Sequence, residues 1–175
     1  MSEACGHVLS AFAGELLWRA HATLGGAAFG RLAQELVVGA LRRIHPSLHE
    51  NRVGTPDASA SEPEAEWAWE IKYINGEEVQ LSPRDIKGLQ TAGGPDPQRR
   101  LLVLDVAFPA RLWVLDAADF SEGSLRPEAH ANRQRATEAE RLAAHVEAIL
   151  LRCDVGLLDD ELTAKKLVRD AAASP

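Results

Sequence analysis

Cysteine is scarce: the 175 residues hold only Cys5 and Cys153, near opposite ends and without the spacing of metal ligands. A disulfide is therefore unforced, and two free thiols in a reducing cytoplasm are the expectation. No apolar run reaches the length of about 18 residues that a membrane-spanning helix needs, so no membrane partner is expected. No basic segment precedes an apolar stretch at the N-terminus, which argues against a secretory signal and for a cytoplasmic protein. His45 and His49 are four apart but flank Pro46, and the six histidines supply no helical pair, which counts against a zinc site. Internal repeats and low-complexity tracts are also lacking.

A surplus of positive charge is missing too. The formal net charge is −7, which disfavours extended, non-specific nucleic-acid binding. Residues 1–50 carry four acids against four bases, and residues 114–175 carry twelve against eight, so part of the excess is C-terminal. What is present in quantity is apolar: 46 % of residues, enough for one sizeable core in a single domain with a terminal extension.

Periodicity predicts helices over 8–24 and 27–44, broken at Gly25-Gly26. The second carries Phe29, Leu32, Leu36, Val37, Ala40, Leu41 and Ile44 at helical spacing and stops before Pro46. Strands are predicted over 51–60 and 66–74. In the latter, Trp67, Trp69, Ile71 and Tyr73 alternate with Ala68, Glu70 and Lys72. Asn75-Gly76 reads as a hairpin turn, with Glu77–Leu81 returning as a short strand. Ser82-Pro83-Arg84-Asp85 reads as a capped helix start, running to about Ala92. Leu101–Ala107 is apolar enough for a central strand, Arg111–Asp116 is another strand, and helices follow over 131–152 and 157–172. Trp18 and Trp113 read as core. The stripe Leu142, Val146, Ile149 and Leu150 either covers the sheet or makes a dimer seam. The expected class is α/β, a mixed central sheet flanked by helices with a C-terminal helical extension.

Asp57 follows Pro56, and Glu70-Ile71-Lys72 follows 12 residues after Asp57, across a predicted hairpin. Alternation sets Glu70 and Lys72 on one face of their strand, opposite the large aromatic residues. Two carboxylates suit a hard dication, and a lysine beside them suits a phosphorane or its attacking water. Asp85-Ile86-Lys87 repeats the letters on a helix, where positions two apart diverge.

Val53-Gly54-Thr55-Pro56-Asp57, then Trp69-Glu70-Ile71-Lys72, with Glu35 on the preceding helix, resembles the PD-(D/E)xK nuclease superfamily and its Holliday-junction resolvases in particular. The resemblance covers roughly 27–116, leaving 1–26 as an N-terminal helix and 117–175 as an extension that packs on the core or mediates oligomerisation. It implies a restriction-endonuclease-like core and a Mg²⁺-dependent nuclease in which Mn²⁺ substitutes for Mg²⁺. Asp57, Glu70, the Ile71 carbonyl and Glu35 would hold metal, with Lys72 completing the catalytic set. The substrate would be nucleic acid, DNA above all, cut to leave a 5′-phosphate. Resolvase-like or restriction and defence roles are both implied. Cutting both strands would favour a homodimer, and a protein partner could deliver the chain to its substrate. Arg84, Lys87, Arg99 and Arg100, flanking the helix beside the cleft, are the candidate phosphate contacts. Plainer readings compete: Glu70 and Lys72 as a surface ion pair, Asp57 as a turn residue, Glu35 at a helix boundary. The matching functional alternative is a non-catalytic module of the same fold that binds a partner or nucleic acid.

Overall fold

The computed structural model describes residues 6–51, 56–91, 96–118, 120–153 and 160–174. Its elements are β1 (His7–Val8), α1 (Ala11–Leu24), α2 (Gly26–Ile44), β2 (His49–Glu50), β3 (Ala58–Glu62), β4 (Ala65–Ile74), β5 (Val79–Leu81) and α3 (Pro83–Thr91). There follow β6 (Gln98–Asp105), β7 (Arg111–Asp116), β8 (Gly123–Leu125), α4 (Pro127–His130), a 3-10 turn (Arg133–Arg135), α5 (Ala136–Leu150) and α6 (Glu161–Ala173). Six strands form one sheet in the order β1-β7-β6-β4-β3-β2, and β5 with β8 forms a separate ribbon. Only β4 and β6 run parallel; the other neighbours in the sheet are antiparallel. The class is α/β, with a mixed central sheet flanked by helices.

The alternation of β4 divides the interior. Trp69 and Ile71 point into a large core with Phe29 and Leu36 of α2, Leu102 and Leu104 of β6, and Leu142 and Val146 of α5. On the other face Ile74 joins Val79, Leu81, Ile86, Leu89, Leu101, Val103, Trp113 and Leu115 beneath α3 and the ribbon. Burying a side chain of this size contributes about 1.5–3 kcal/mol. The apolar run of β6 is buried from Leu101 to Leu104, as a strand covered on both faces requires. At α3 the capping box closes reciprocally: the Asp85 N–H donates to Ser82 Oγ at 3.3 Å, and the Ser82 N–H donates to Asp85 Oδ2 at 2.8 Å.

Several expectations are corrected. Asn75-Gly76 does not fold β5 back on β4. Parallel pairing of β4 with β6 requires a crossover, so the chain leaves the sheet plane and β5 pairs with β8 instead. The long helix begins at Ala136, five residues later than its pattern suggests. Upstream, Asn132 Oδ1 accepts the Arg135 N–H at 3.1 Å while Asn132 Nδ2 and Arg135 Nε both donate to Asp116 at 2.9 Å. Those bonds hold the preceding turn against the end of β7. The stripe on α5 is at most 4 % exposed within the chain, which makes it core rather than a dimer seam. Trp18 is 55 % exposed and so is not core, whereas Trp113 is buried. Both α5 and α6 pack on α2, so the extension lies on the core. Cys153 is buried and free; Cys5 and residues 52–55 lie outside the described residues. Among the described residues no helix is long and apolar enough to cross a membrane.

Candidate functional site

The β3–β4 hairpin has Ala58 opposite Trp69, so one further step of that register sets Asp57 opposite Glu70. Asn51 fixes the approach: its N–H donates to the Asp57 carbonyl at 2.9 Å and its Nδ2 to the Pro56 carbonyl at 2.8 Å. Beyond Ala58 the β3 pairing ends, and the Ile71 N–H donates to Asp57 Oδ2 at 2.8 Å. Gln34 of α2 donates through Nε2 to Asp57 Oδ1 at 3.1 Å. Both carboxylate oxygens are thus oriented by neighbours on two different elements.

Glu70 is 2 % exposed, on the α3 side of the sheet. Its Oε1 lies 2.9 Å from Lys72 Nζ, but Oε2 is buried with no hydrogen-bond partner. Lys72 Nζ also lies 2.9 Å from Asp85 Oδ2. The ammonium is therefore clamped between a strand carboxylate and the capping carboxylate of α3.

Burial, reinforced by the Asp57 charge, pushes the Glu70 carboxyl up to about 8, more than Lys72 can offset. Burial also raises Asp57 despite the Ile71 N–H and the Lys72 charge. For Lys72, burial pulls downward, but the Glu70 and Asp85 carboxylates outweigh it and hold the ammonium above its ordinary range. Asp85 goes the other way: burial would raise it, yet the Ser82 N–H and Lys72 keep it below the usual carboxylate range.

Asp57, Glu70 and Lys72 thus come together, and Ile71 joins them through its N–H to Asp57, where the expected role was its carbonyl. Asp85 and Gln34 complete the arrangement and were missed as site residues. The available signal for Asp85 was its position, an acid three residues after a cap at the end of the crossover. Glu35 does not join this group. Arg169 of α6 binds both its carboxylate oxygens, with Lys165 Nζ at 3.9 Å, so its partners are cations of the C-terminal helix. Arg99 and Arg100 are corrected as phosphate contacts. Arg99 donates to the carbonyls of Leu89 at 2.7 Å and Gln90 at 3.4 Å, capping the end of α3. Arg100 is 3 % exposed, paired with Asp116 at 3.0 Å and Glu138 at 3.4 Å, its guanidinium 5.4 Å from the Trp67 ring centroid. Arg84 and Lys87 are exposed on α3.

Among the described residues no group of three or more His, Cys, Asp or Glu side chains is arranged to hold a metal ion. The carboxyl groups of Asp57 and Glu70 remain as hard oxygen donors, and Glu70 Oε2 has no hydrogen-bond partner. That donor set fits a dication that keeps several of its waters. Compared with protein-family models, curated proteins and solved structures, the chain matches none.

Proposed function

We propose that this chain is a metal-dependent nuclease with a restriction-endonuclease-like core, cutting phosphodiester bonds at Asp57, Glu70 and Lys72. The observation that carries the reading is Glu70: a buried carboxyl whose Oε2 has no hydrogen-bond partner, set across a hairpin from Asp57 and joined to Lys72. A surface ion pair would have no need of such burial. The order α2, β2, β3, β4, α3, β6, with β2, β3 and β4 antiparallel neighbours, β6 parallel to β4 and β5 outside the sheet, is compatible with the PD-(D/E)xK core of helix, three strands, helix and strand, and supports the same reading.

When bound, Mg²⁺ or Mn²⁺ lowers the pKa of a coordinated water and offsets charge on the scissile phosphate. Asp57 and Glu70 are the residues that would hold it. Ile71 and Gln34 keep Asp57 oriented for that task, so little side-chain entropy remains to be lost on binding. Glu70 would have to give up its proton to serve as a ligand. Lys72, kept charged by Glu70 and Asp85, donates from Nζ to a phosphate oxygen or to the attacking water. Glu35, tied to α6, is left out of the reacting group.

The test is cleavage of labelled single-stranded, duplex, flap and four-way-junction DNA, beside single-stranded RNA, with Mg²⁺, Mn²⁺ or EDTA. Metal-dependent cutting lost in Asp57→Ala is expected, with DNA preferred. Equal cutting by both proteins would remove the site from the reaction. A folded protein that neither cuts nor binds the ion would favour the non-catalytic module.

A further inference from the structure

Gln34, the α2 residue that holds Asp57, also lines a cavity of about 340 Å³ with Arg31, Glu35, Glu50, Lys165 and Arg169. The cavity therefore adjoins the site through a single side chain. The Glu50 charge acts on Asp57 and on Arg169 alike, so the two regions share one electrostatic neighbourhood.

Three cations line the cavity against two carboxylates. Most of that charge is matched nearby. Arg169 takes both oxygens of Glu35, Arg42 Nη2 lies 2.9 Å from Glu50, and Arg31 reaches Glu161 at 2.5 and 2.6 Å. Lys165 is matched more loosely, by two ion pairs without hydrogen bonds. Its Nζ stays 3.9 Å from Glu35 and 3.8 Å from Glu161, beyond hydrogen-bond length to either. The local surplus of one positive charge thus resides on an ammonium whose nearest carboxylates are not within bonding distance. Arg31 and Arg169 engage their carboxylates through Nε and Nη2, two of the positions on a guanidinium that carries five N–H donors. Their side chains are 53 % and 56 % exposed, so they can meet a ligand from solvent without unfolding anything. In a chain of net charge −7 this is a place where an anion gains rather than loses.

We infer that this cavity is a phosphate subsite taking the backbone of the nucleic-acid strand that is cut, adjacent to the bond held at Asp57 and Glu70. The inference rests on the proposed nuclease reading for its choice of ligand. It also supplies the phosphate contacts that Arg99 and Arg100, held by other partners, do not provide. Exposed ion pairs are worth little, so exchanging part of one for a charge-assisted bond to phosphate is cheap. The C-terminal helix α6 then has a role in binding as well as in covering α2.

The experiment is fluorescence anisotropy of labelled single-stranded and duplex DNA with the full chain in EDTA, where no cutting intervenes, repeated across a salt series. Lys165→Ala and Arg31→Ala are compared with Lys166→Ala, whose ammonium pairs along the helix with Asp170 and does not line the cavity. Lys165 makes no close bond and Arg31 is an exposed side chain, so neither change should alter the melting temperature, which is measured alongside. Wild type should bind. Lys165→Ala and Arg31→Ala should each weaken binding roughly three- to ten-fold and reduce the magnitude of the log–log salt slope by about 1, while Lys166→Ala changes neither. Excess inorganic phosphate should compete with DNA in wild type and less well in Lys165→Ala. Absence of DNA binding, unchanged affinity in Lys165→Ala, or an equal loss in Lys166→Ala would overturn the inference. Binding with the expected pattern but no metal-dependent cleavage would leave the subsite standing and remove the nuclease reading. Cleavage indifferent to Lys165 would do the reverse.

Discussion

Replacing Glu70 with Gln should stabilise the metal-free protein in alkaline solution and leave it nearly unchanged in mild acid. The folded-state carboxyl lies at about 8 against an ordinary value of 4.5. A raised carboxyl binds its proton more tightly folded than unfolded, so its contribution is full below about 4.5 and is lost progressively up to about 8. Each pKa unit is worth about 1.4 kcal/mol, and for a side chain this deeply buried the full loss is on the order of 5 kcal/mol. Gln has the shape of the neutral acid and cannot ionise. Urea unfolding of EDTA-treated protein from about pH 5 to about pH 9 should therefore show wild type losing stability where Glu70→Gln loses much less. Asp57, also raised by burial, acts with the same sign above its ordinary value of 3.8, in wild type and variant alike. Asp85 and Asp116, both lowered, act with the opposite sign at more acid pH, outside this window. A wild type whose stability is flat or rising over the range, or a Gln variant that falls as steeply, would refute the reasoning about Glu70.

Other substitutions separate structure from chemistry. Asp85→Asn keeps a cap acceptor but loosens the clamp on Lys72; a cost of about 1–2 kcal/mol in urea unfolding is expected, together with a larger loss of cleavage rate. Arg100→Ala removes a buried guanidinium from Asp116 and Glu138, which are part-exposed and keep Arg135 as a partner, and should cost about 1–2 kcal/mol, with unchanged DNA affinity in the anisotropy assay. Leu142→Ala opens a cavity in the core and should cost about 2–5 kcal/mol without altering the mass measured by light scattering. A change of oligomeric state in that variant would restore the dimer seam.

Features set by short-range periodicity were legible in the sequence. The alternation of Trp67 to Tyr73 located the central strand and put Glu70 beside Lys72. The stripe on α2 located its buried face, and the box at Ser82 located the start of α3. Features set by the choice of partner were not legible. The pattern around 131 is helical on its own, and only the bonds of Asn132 and Arg135 to Asp116 delay the helix. Arg100 reads as a cleft cation until the β6–β7 register places it opposite Asp116; their symmetric spacing about Phe108 was the available clue. Glu35 sits one residue from Gln34, and the helical turn between them decides which reaches Asp57 and which is taken by α6. Trp18 lies on a face of α1 left half exposed among the described residues, which no periodicity of that helix alone could reveal.

The central claim is that Asp57 and Glu70 hold a divalent ion for phosphodiester cleavage, and calorimetric titration with Mn²⁺ at neutral pH tests it most directly. Wild type should bind the ion with release of protons from Glu70, and Asp57→Ala and Glu70→Gln should each lose that heat while remaining folded. Wild type that takes up no ion, or binding that survives both substitutions, would contradict the claim.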